Sequence, residues 1–333
     1  MSTITIVGAG SWGSGLSLIL ADNKNLVKIY DLDKDLIKEI NSSHTNERYL
    51  PGSKLPNTIV GYTDLKSALE GSEVVLTVVP TKVMRQALKS VNEALDHEVV
   101  FVNASKGIEP VSFKRVSEIV FEEIAPEKIK GFVALTGPSH AEEVIKRQLT
   151  VVSSASDDLE LAKFVQVLFN NDEYFRVYTL NDLIGAELGS SLKNIIALAA
   201  GILNGLGYGD NAKAALITRG LAEMRRLAVK AGAKEETLFG LTGIGDLIVT
   251  ATSLHSRNYQ AGLKIGSGKN LQETLASMTM VVEGVRSCEA AYQFAKELHV
   301  EMPITFAVYD VLFNQREPKD AIKELMQRNL KSE

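Results

Sequence analysis

Thr3-Ile-Thr-Ile-Val7 running into Gly8-Ala-Gly10-Ser-Trp-Gly13 is the stretch on which the fold turns. A short β-rich run meets three glycines in G-x-G-x-x-G spacing, and the apolar segment Leu16–Ala21 then opens a helix. Gly8 permits a tight turn, Gly10 lets a pyrophosphate approach the backbone, and Gly13 allows close packing of helix on strand. The helix start adds unpaired N–H groups and a partial positive charge for phosphates. The spacing alone is a weak signal, and a glycine turn without a ligand is the alternative. The strand–turn–helix context strengthens it, and a second strand ends at an acidic residue, Asp31, eighteen positions beyond Gly13.

Asp31 carries a finer expectation. A carboxylate there accepts hydrogen bonds from both ribose hydroxyls of NAD and repels a 2′-phosphate. Leu32 and Asp33 follow, so no arginine stands ready for that phosphate. NAD is therefore the expected dinucleotide, with NADP as the alternative.

Outward from this unit, β-rich runs alternate with helical stretches. Strands are predicted at Thr3–Val7, Val27–Tyr30, Val74–Val79, Val99–Asn103, Phe132–Leu135, Thr150–Ser153 and Phe175–Tyr178. Thr81–Ala94, Phe113–Glu122 and Asp158–Phe169 read as helices between them. Several of the strands are almost wholly apolar, as in parallel sheets covered on both faces. Alternation of this kind makes the first part an α/β, doubly wound Rossmann domain, residues 1–180. From Asn181 on the strand signals stop. Helices are predicted at Asp182–Leu203, Ala212–Ala231, Arg257–Ile265, Gly284–Leu298 and Ile304–Phe313, with a short one near the end. Glycine-rich turns at Gly205–Gly209 and Gly240–Gly245 separate some of them, giving an all-α domain over 181–333. A chain of 333 residues accommodates two domains.

Composition narrows the class. Hydrophobic residues make up 45% and charged residues 23%, an ordinary globular mixture. A net charge of −5, with scattered lysines and arginines, speaks against nucleic acid as a partner. An anionic small substrate must then be met by a few placed cations. Cys288 is the only cysteine, so no intrachain disulfide forms, which fits a reducing compartment. The N-terminus enters a strand directly and is not read as a signal peptide, and no apolar run is read as a membrane span. The expected location is cytoplasmic; a homodimer is compatible with the sequence.

Ligands of doubly wound sheets lie beyond the carboxyl ends of the strands. Two loops there offer donors for an oxyanion or phosphate: Asn103-Ala-Ser-Lys106-Gly107, and Thr136-Gly137-Pro138-Ser139, where Pro138 is placed to begin a helix. Lys106 equally reads as a solvated loop lysine, and Ser139 as a helix cap. In the helical half, Ala186, Gly189, Ser190, Lys193, Ala197 and Ala200 share one helix face. A single lysine on such a stripe can reach into a crevice, where partial burial lowers its pKa toward that of a general acid/base. Snorkelling to the surface is the competing reading. Gly243-Ile-Gly245-Asp246 places a carboxylate on a glycine turn, able to fix an ammonium. Ser256-Arg257-Asn258 at a helix start joins an N-cap side chain to a guanidinium, a phosphate trap or else an ordinary cap with Arg257 exposed.

Other chemistries find little support. The five histidines show no H-E-x-x-H spacing, so no metal is expected. No G-x-S-x-G elbow occurs. Gly266-Ser-Gly-Lys269 fails the P-loop spacing, and Asn270 stands where Ser or Thr is required.

Taken together, the segments resemble the bacterial-type NAD(P)-dependent glycerol-3-phosphate dehydrogenases. The likeness rests on Gly8-Ala-Gly-Ser-Trp-Gly13, Asn46-Glu-Arg-Tyr-Leu-Pro-Gly52, Ser105-Lys-Gly-Ile-Glu109 and Gly137-Pro-Ser139. It continues through Glu187-Leu-Gly-Ser-Ser-Leu-Lys-Asn194, Gly243-Ile-Gly-Asp246, Ser256-Arg-Asn258 and Val281-Val-Glu-Gly284. The resemblance implies interconversion of dihydroxyacetone phosphate and sn-glycerol 3-phosphate, supplying the backbone of phospholipids. It implies that Lys193 is the proton donor or acceptor at the substrate oxygen. It further implies that Lys106, Gly137, Ser139, Asp246, Ser256, Arg257 and Asn258 contact substrate. Ser11, Trp12, Lys106, Ala141, Arg257, Val281 and Glu283 would contact the cofactor. Many members carry Gly-Arg where this chain has Asp31-Leu32, a departure that turns expectation away from NADP. Many also carry a cysteine where this chain has Ala251, which argues against a role for a thiol.

The resulting hypothesis docks the substrate phosphate near Ser256, Arg257 and Asn258, at the mouth between the domains. A nicotinamide supplies hydride to C2, Lys193 protonates its oxygen, Asp246 orients Lys193, and Lys106 adds positive charge. A β-hydroxyacid dehydrogenase is a rival with similar architecture, but its carboxylate substrate would leave the Ser-Arg-Asn trap without a purpose. A regulator that senses NAD without turnover is the rival from another class, and it leaves the lysine–aspartate pair unexplained.

Overall fold

The computed structural model describes residues 1–109, 112–278 and 280–330, in two compact units. The first comprises Met1–Lys106 and Lys114–Glu187, the second Gly107–Phe113 and Leu188–Glu333.

The first unit is built on one eight-stranded sheet. Its strands are β1 (Thr3–Val7), β2 (Leu26–Tyr30), β3 (Ile59–Tyr62), β4 (Val74–Thr77), β5 (Val99–Asn103), β6 (Ile129–Thr136), β7 (Thr150–Ala155) and β8 (Phe175–Leu180). They lie in the order β3-β2-β1-β4-β5-β6-β7-β8. All neighbours pair in parallel except β6 and β7, which run antiparallel. The chain builds outward from β1 to β3, then returns to the other side of β1 with β4. That reversal makes the β1/β4 edge the switch point at which such sheets bind ligands.

Helices α1 (Ser11–Asp22), α2 (Lys34–Ser43), α3 (Leu65–Leu69), α4 (Thr81–Ala94), α5 (Val116–Glu123), α6 (Ala141–Val144) and α7 (Leu159–Phe169) connect the strands. The pleat sorts the sheet's apolar residues into two cores. Ile4, Ile6, Val74, Leu76, Val100 and Val102 join one cluster with Leu16, Ile19 and Leu20 of α1. Val75, Val99 and Phe101 point the other way and pack with Met84, Leu88 and Val91 of α4 and Ile119 of α5.

The sequence reading finds seven of these strands and misses β3, whose four residues include Gly61. A strand so short, broken by a glycine, carries little β signal. Helix α2 was also unread, although Asp33 caps it by accepting from Asp35 N and Leu36 N.

In the second unit the helices are most of α8 (Leu183–Gly205), then α9 (Asp210–Lys230), α10 (Asp246–Thr252), α11 (Arg257–Gly266), α12 (Leu271–Ala276), α13 (Glu283–Glu297), α14 (Pro303–Phe313) and α15 (Pro318–Met326). The glycine turn expected at 240–245 is instead a π-helical turn, Leu241–Gly245, leading straight into α10. Glycine here permits close approach of the turn to its neighbour instead of stopping the helix: a Cβ on Gly243 would stand 2.0 Å from the Leu238 carbonyl oxygen. Helix α8 is also long and apolar enough to span a bilayer by length and composition, contrary to the sequence reading, but 94% of that window is buried in the protein.

Candidate active site

The glycine turn closes as its sequence requires. Gly8 has φ +112°, and a Cβ there would press on Val78. A Cβ on Gly13 would stand 2.0 Å from the Gly8 carbonyl oxygen, whereas one on Gly10 meets no protein atom within 4 Å. Gly13 is thus fixed by packing, while the space at Gly10 opens at the start of α1. Gly10 is the N-cap of that helix and supplies no side-chain cap. Trp12 Nε1 is buried without a hydrogen-bond partner. A cradle that a Cβ would fill, at a helix N-terminus with uncapped N–H groups, fits a pyrophosphate.

Asp31 follows β2 and reaches back to this turn. Its Oδ2 accepts the Ala9 N–H at 2.8 Å and its Oδ1 accepts the Asp33 N–H at 3.0 Å. Each carboxylate oxygen has a further lone pair, so ribose hydroxyls remain possible donors. Leu32 beside it is 81% exposed.

At the carboxyl ends of β5 and β6, Lys106 Nζ donates to the Gly137 carbonyl at 3.3 Å. Gly137 has φ +134°, and a Cβ there would stand 3.0 Å from Val152 Cα. Ser139 Oγ donates to the same Gly137 oxygen at 3.0 Å. The three residues therefore form one local cluster. Pro138 does not begin a helix and Ser139 does not cap one: α6 starts at Ala141, with His140 as its N-cap. Ala141, one of the expected cofactor contacts, is the buried first residue of that short helix.

The second unit holds the other group. Lys193 on α8 is 3% exposed and Asp246 at the start of α10 is 1% exposed. Lys193 Nζ donates to Asp246 Oδ1 at 2.5 Å and to Thr250 Oγ1 at 2.6 Å. Thr250 in turn donates to the Asp246 carbonyl at 2.5 Å, which turns its lone pairs toward the ammonium. Lys193 does not snorkel; it is buried and paired. A buried ammonium and carboxylate so arranged can hold a proton at a defined point and pass it to a bound oxygen.

Ser256 caps α11 by accepting the Tyr259 N–H at 3.2 Å. Arg257, the first residue of α11, is half-buried and makes no hydrogen bond or ion pair within the described residues. Asn258 is committed inside the protein: its Nδ2 donates to Asn194 Oδ1 at 2.9 Å and its Oδ1 accepts the Gly284 N–H at 2.8 Å. It thereby ties α11 to α8 and to the first turn of α13, where Glu283 stands after Val281. Sequence reasoning missed Thr250 and Asn194. The i, i+4 spacing of Asp246 and Thr250 would have exposed the former, had 246–252 been read as a helix.

A Rossmann sheet with an open glycine turn, joined to a helical unit that buries a lysine–carboxylate pair, defines a dinucleotide-dependent dehydrogenase of two units. Comparison with known proteins makes the class specific. The sequence profile of the NAD-dependent glycerol-3-phosphate dehydrogenase N-terminus matches residues 3–162, and that of its C-terminus matches residues 182–323. The chain belongs to this family. It is 56% identical over 333 residues to glycerol-3-phosphate dehydrogenase [NAD(P)+] of Geobacillus kaustophilus, covering 100% of this chain and 96% of that protein. It is 55% identical to the protein of the same name from Bacillus cytotoxicus, covering 100% and 97%. The solved structure of glycerol-3-phosphate dehydrogenase from Coxiella burnetii superposes with a TM-score of 0.93 at 37% identity, covering 98% of this chain and 99% of that one.

Proposed function

We propose that the protein interconverts dihydroxyacetone phosphate and sn-glycerol 3-phosphate with NAD(H) in preference to NADP(H), supplying the glycerol backbone of phospholipids in the cytoplasm. The sheet domain, residues 1–180, binds the dinucleotide through Gly8, Gly10, Ser11, Trp12, Gly13, Asp31, Lys106 and Ala141. The helical domain, residues 181–333, carries Lys193 as general acid/base with Asp246, and adds Arg257, Val281 and Glu283 to the cofactor contacts. Lys106, Gly137, Ser139, Ser256, Arg257 and Asn258, with Lys193 and Asp246, hold the substrate.

The observation that carries this reading is the burial of Lys193 between Asp246 Oδ1 and Thr250 Oγ1. An ammonium removed from water survives only with such partners, because an unpaired buried charge costs several kcal/mol. When bound, the reduced dinucleotide supplies the hydride. Lys193 gives a proton to the C2 oxygen during reduction and takes it back from the C2 hydroxyl during oxidation. Asp246 stabilises the ammonium and fixes its direction. Arg257, without an internal partner, offers its guanidinium to the phosphate, and the Ser256 cap fixes the backbone from which it projects.

Positioned general acid catalysis contributes about 10²–10⁴-fold. Lys193→Ala should lower kcat for dihydroxyacetone phosphate reduction by that factor, with the Kd for NADH within about twofold of wild type. Wild-type kcat in this variant would overturn the assignment.

A further inference from the structure

Helix α8 and the stretch from the π-turn into α10 meet at two successive points, each pairing residues four apart. At the second point Lys193 donates to Asp246 at 2.5 Å. At the first, Gly189 lies against the Thr242 backbone. A Cβ on Gly189 would stand 3.0 Å from the Thr242 carbonyl oxygen and 3.5 Å from its carbonyl carbon. Gly189 precedes Lys193 by four residues and Thr242 precedes Asp246 by four, so the two contacts are one helical turn apart on both segments. The separation at the first contact therefore sets the separation available at the second.

The first contact is also stiff. Its far side is a backbone carbonyl, which cannot rotate away as a side chain can. The π-turn that holds this carbonyl is locked from behind by Gly243, packed on the Leu238 backbone. Thr242 is itself 1% exposed. Nothing in the local backbone of α8 calls for glycine at 189, because its φ lies outside the positive range in which glycine is favoured. Alanine is the better helix former there. Glycine is thus explained by what it lets approach.

We infer that Gly189 is a positioning residue for Lys193: its missing side chain lets α8 lie close enough to Thr242 for the ammonium to seat between Asp246 and Thr250. The inference rests on Lys193 being the general acid/base. A methyl group at 189 would push α8 from Thr242 by a few tenths of an ångström and loosen the Lys193–Asp246 contact, without touching the dinucleotide site.

The test is Gly189→Ala beside Lys193→Ala in the full chain. For Gly189→Ala we expect a Tm lowered only slightly, because the helix propensity of alanine offsets part of the crowding, an unchanged Kd for NADH, and a kcat for dihydroxyacetone phosphate reduction lower by about tenfold. The pH at which kcat falls on the alkaline side should move down, because an ammonium loosened from its carboxylate while still buried loses its proton more readily. Wild-type kcat and pH profile in Gly189→Ala, with kcat lost in Lys193→Ala, would overturn the positioning role alone. Wild-type kcat in Lys193→Ala would overturn the acid/base reading and this inference with it. A Gly189→Ala protein with strongly lowered Tm and weakened NADH binding would make Gly189 a general packing residue, and that too overturns the inference.

Discussion

Asp31 Oδ2 accepts the backbone N–H of Ala9 at 2.8 Å, joining the end of β2 to the middle of the glycine turn. One carboxylate thus shapes the turn and sets the charge where the second ribose hydroxyl of a dinucleotide would lie. A 2′-phosphate there would meet that charge with no cation on Leu32 to offset it. The kcat/KM with NADH should exceed that with NADPH. Replacing Asp31-Leu32 by Gly-Arg should reverse the order by about 10–100-fold, since a charge-assisted contact contributes about 1.5–3 kcal/mol. Leu32 is exposed, so the arginine disturbs no core, but loss of the Ala9 contact should lower NADH use as well. Equal kcat/KM for both cofactors in the parent protein would refute the preference.

Thr250 completes the seat of Lys193. Thr250→Val keeps the shape, removes an acceptor 2.6 Å from the ammonium, and frees the hydrogen bond to the Asp246 carbonyl. A hydrogen bond to a charged group contributes about 1.5–3 kcal/mol, so kcat should drop by about tenfold or more. Thr250→Ser should retain most of the activity, and NADH binding should be unaffected in both. Steady-state kinetics with a separate NADH titration distinguishes these outcomes from general damage.

The parts of the fold that were legible are those whose signal is local. Gly8 and Gly13 announce a turn because each solves a steric problem with residues nearby. The almost wholly apolar runs at Val74–Thr77 and Val99–Asn103 announce strands buried on both faces. Lys193 and Asp246 are paired in the sequence reading by opposite charge alone, because their contact spans 53 residues and no periodicity reports such a distance. Asn258 is a second case: its amide bonds Asn194 and Gly284, partners that only the packing of α8, α11 and α13 supplies and that its place beside Arg257 does not announce. The antiparallel β6–β7 pair likewise depends on how the chain returns, not on composition.

Glu223 on α9 gives a prediction about stability and pH. Its carboxylate accepts the N–H groups of Ile304 and Thr305 and the Thr305 hydroxyl, capping α14 from another helix. Burial nevertheless outweighs these donors and pushes its pKa up to about 7 from an ordinary 4.5. Between those values the folded state holds a proton that the unfolded chain has released. The stability from this group is therefore full below about pH 4.5 and is lost as pH rises toward 7, by up to about 3 kcal/mol. Glu223→Gln should flatten that part of the pH–stability curve while lowering stability overall by about 1–3 kcal/mol, because an amide offers α14 one acceptor oxygen in place of two. Urea titrations at pH 5, 6 and 7.5 read both effects, and an unchanged slope in the variant would remove Glu223 as the titrating group.

Gly10 and Gly13 separate folding from binding within one turn. At Gly13 an alanine Cβ would lie 2.0 Å from the Gly8 carbonyl oxygen, so the turn must open or α1 must leave the sheet. At Gly10 the same Cβ meets no protein atom within 4 Å, and the backbone is extended and suited to any residue. Gly13→Ala should therefore lower Tm and weaken NADH binding together. Gly10→Ala should leave Tm within about 1 °C of the parent, since surface changes away from packing shift stability by less than about 0.5 kcal/mol. Its Kd for NADH should nonetheless rise by at least about tenfold, because the methyl group would occupy the path of the pyrophosphate to the N-terminus of α1. Calorimetric melting and fluorescence titration on the same two preparations decide it. Unchanged NADH affinity in Gly10→Ala would show that the pyrophosphate does not approach the backbone there, and the glycine turn would then be a packing device only.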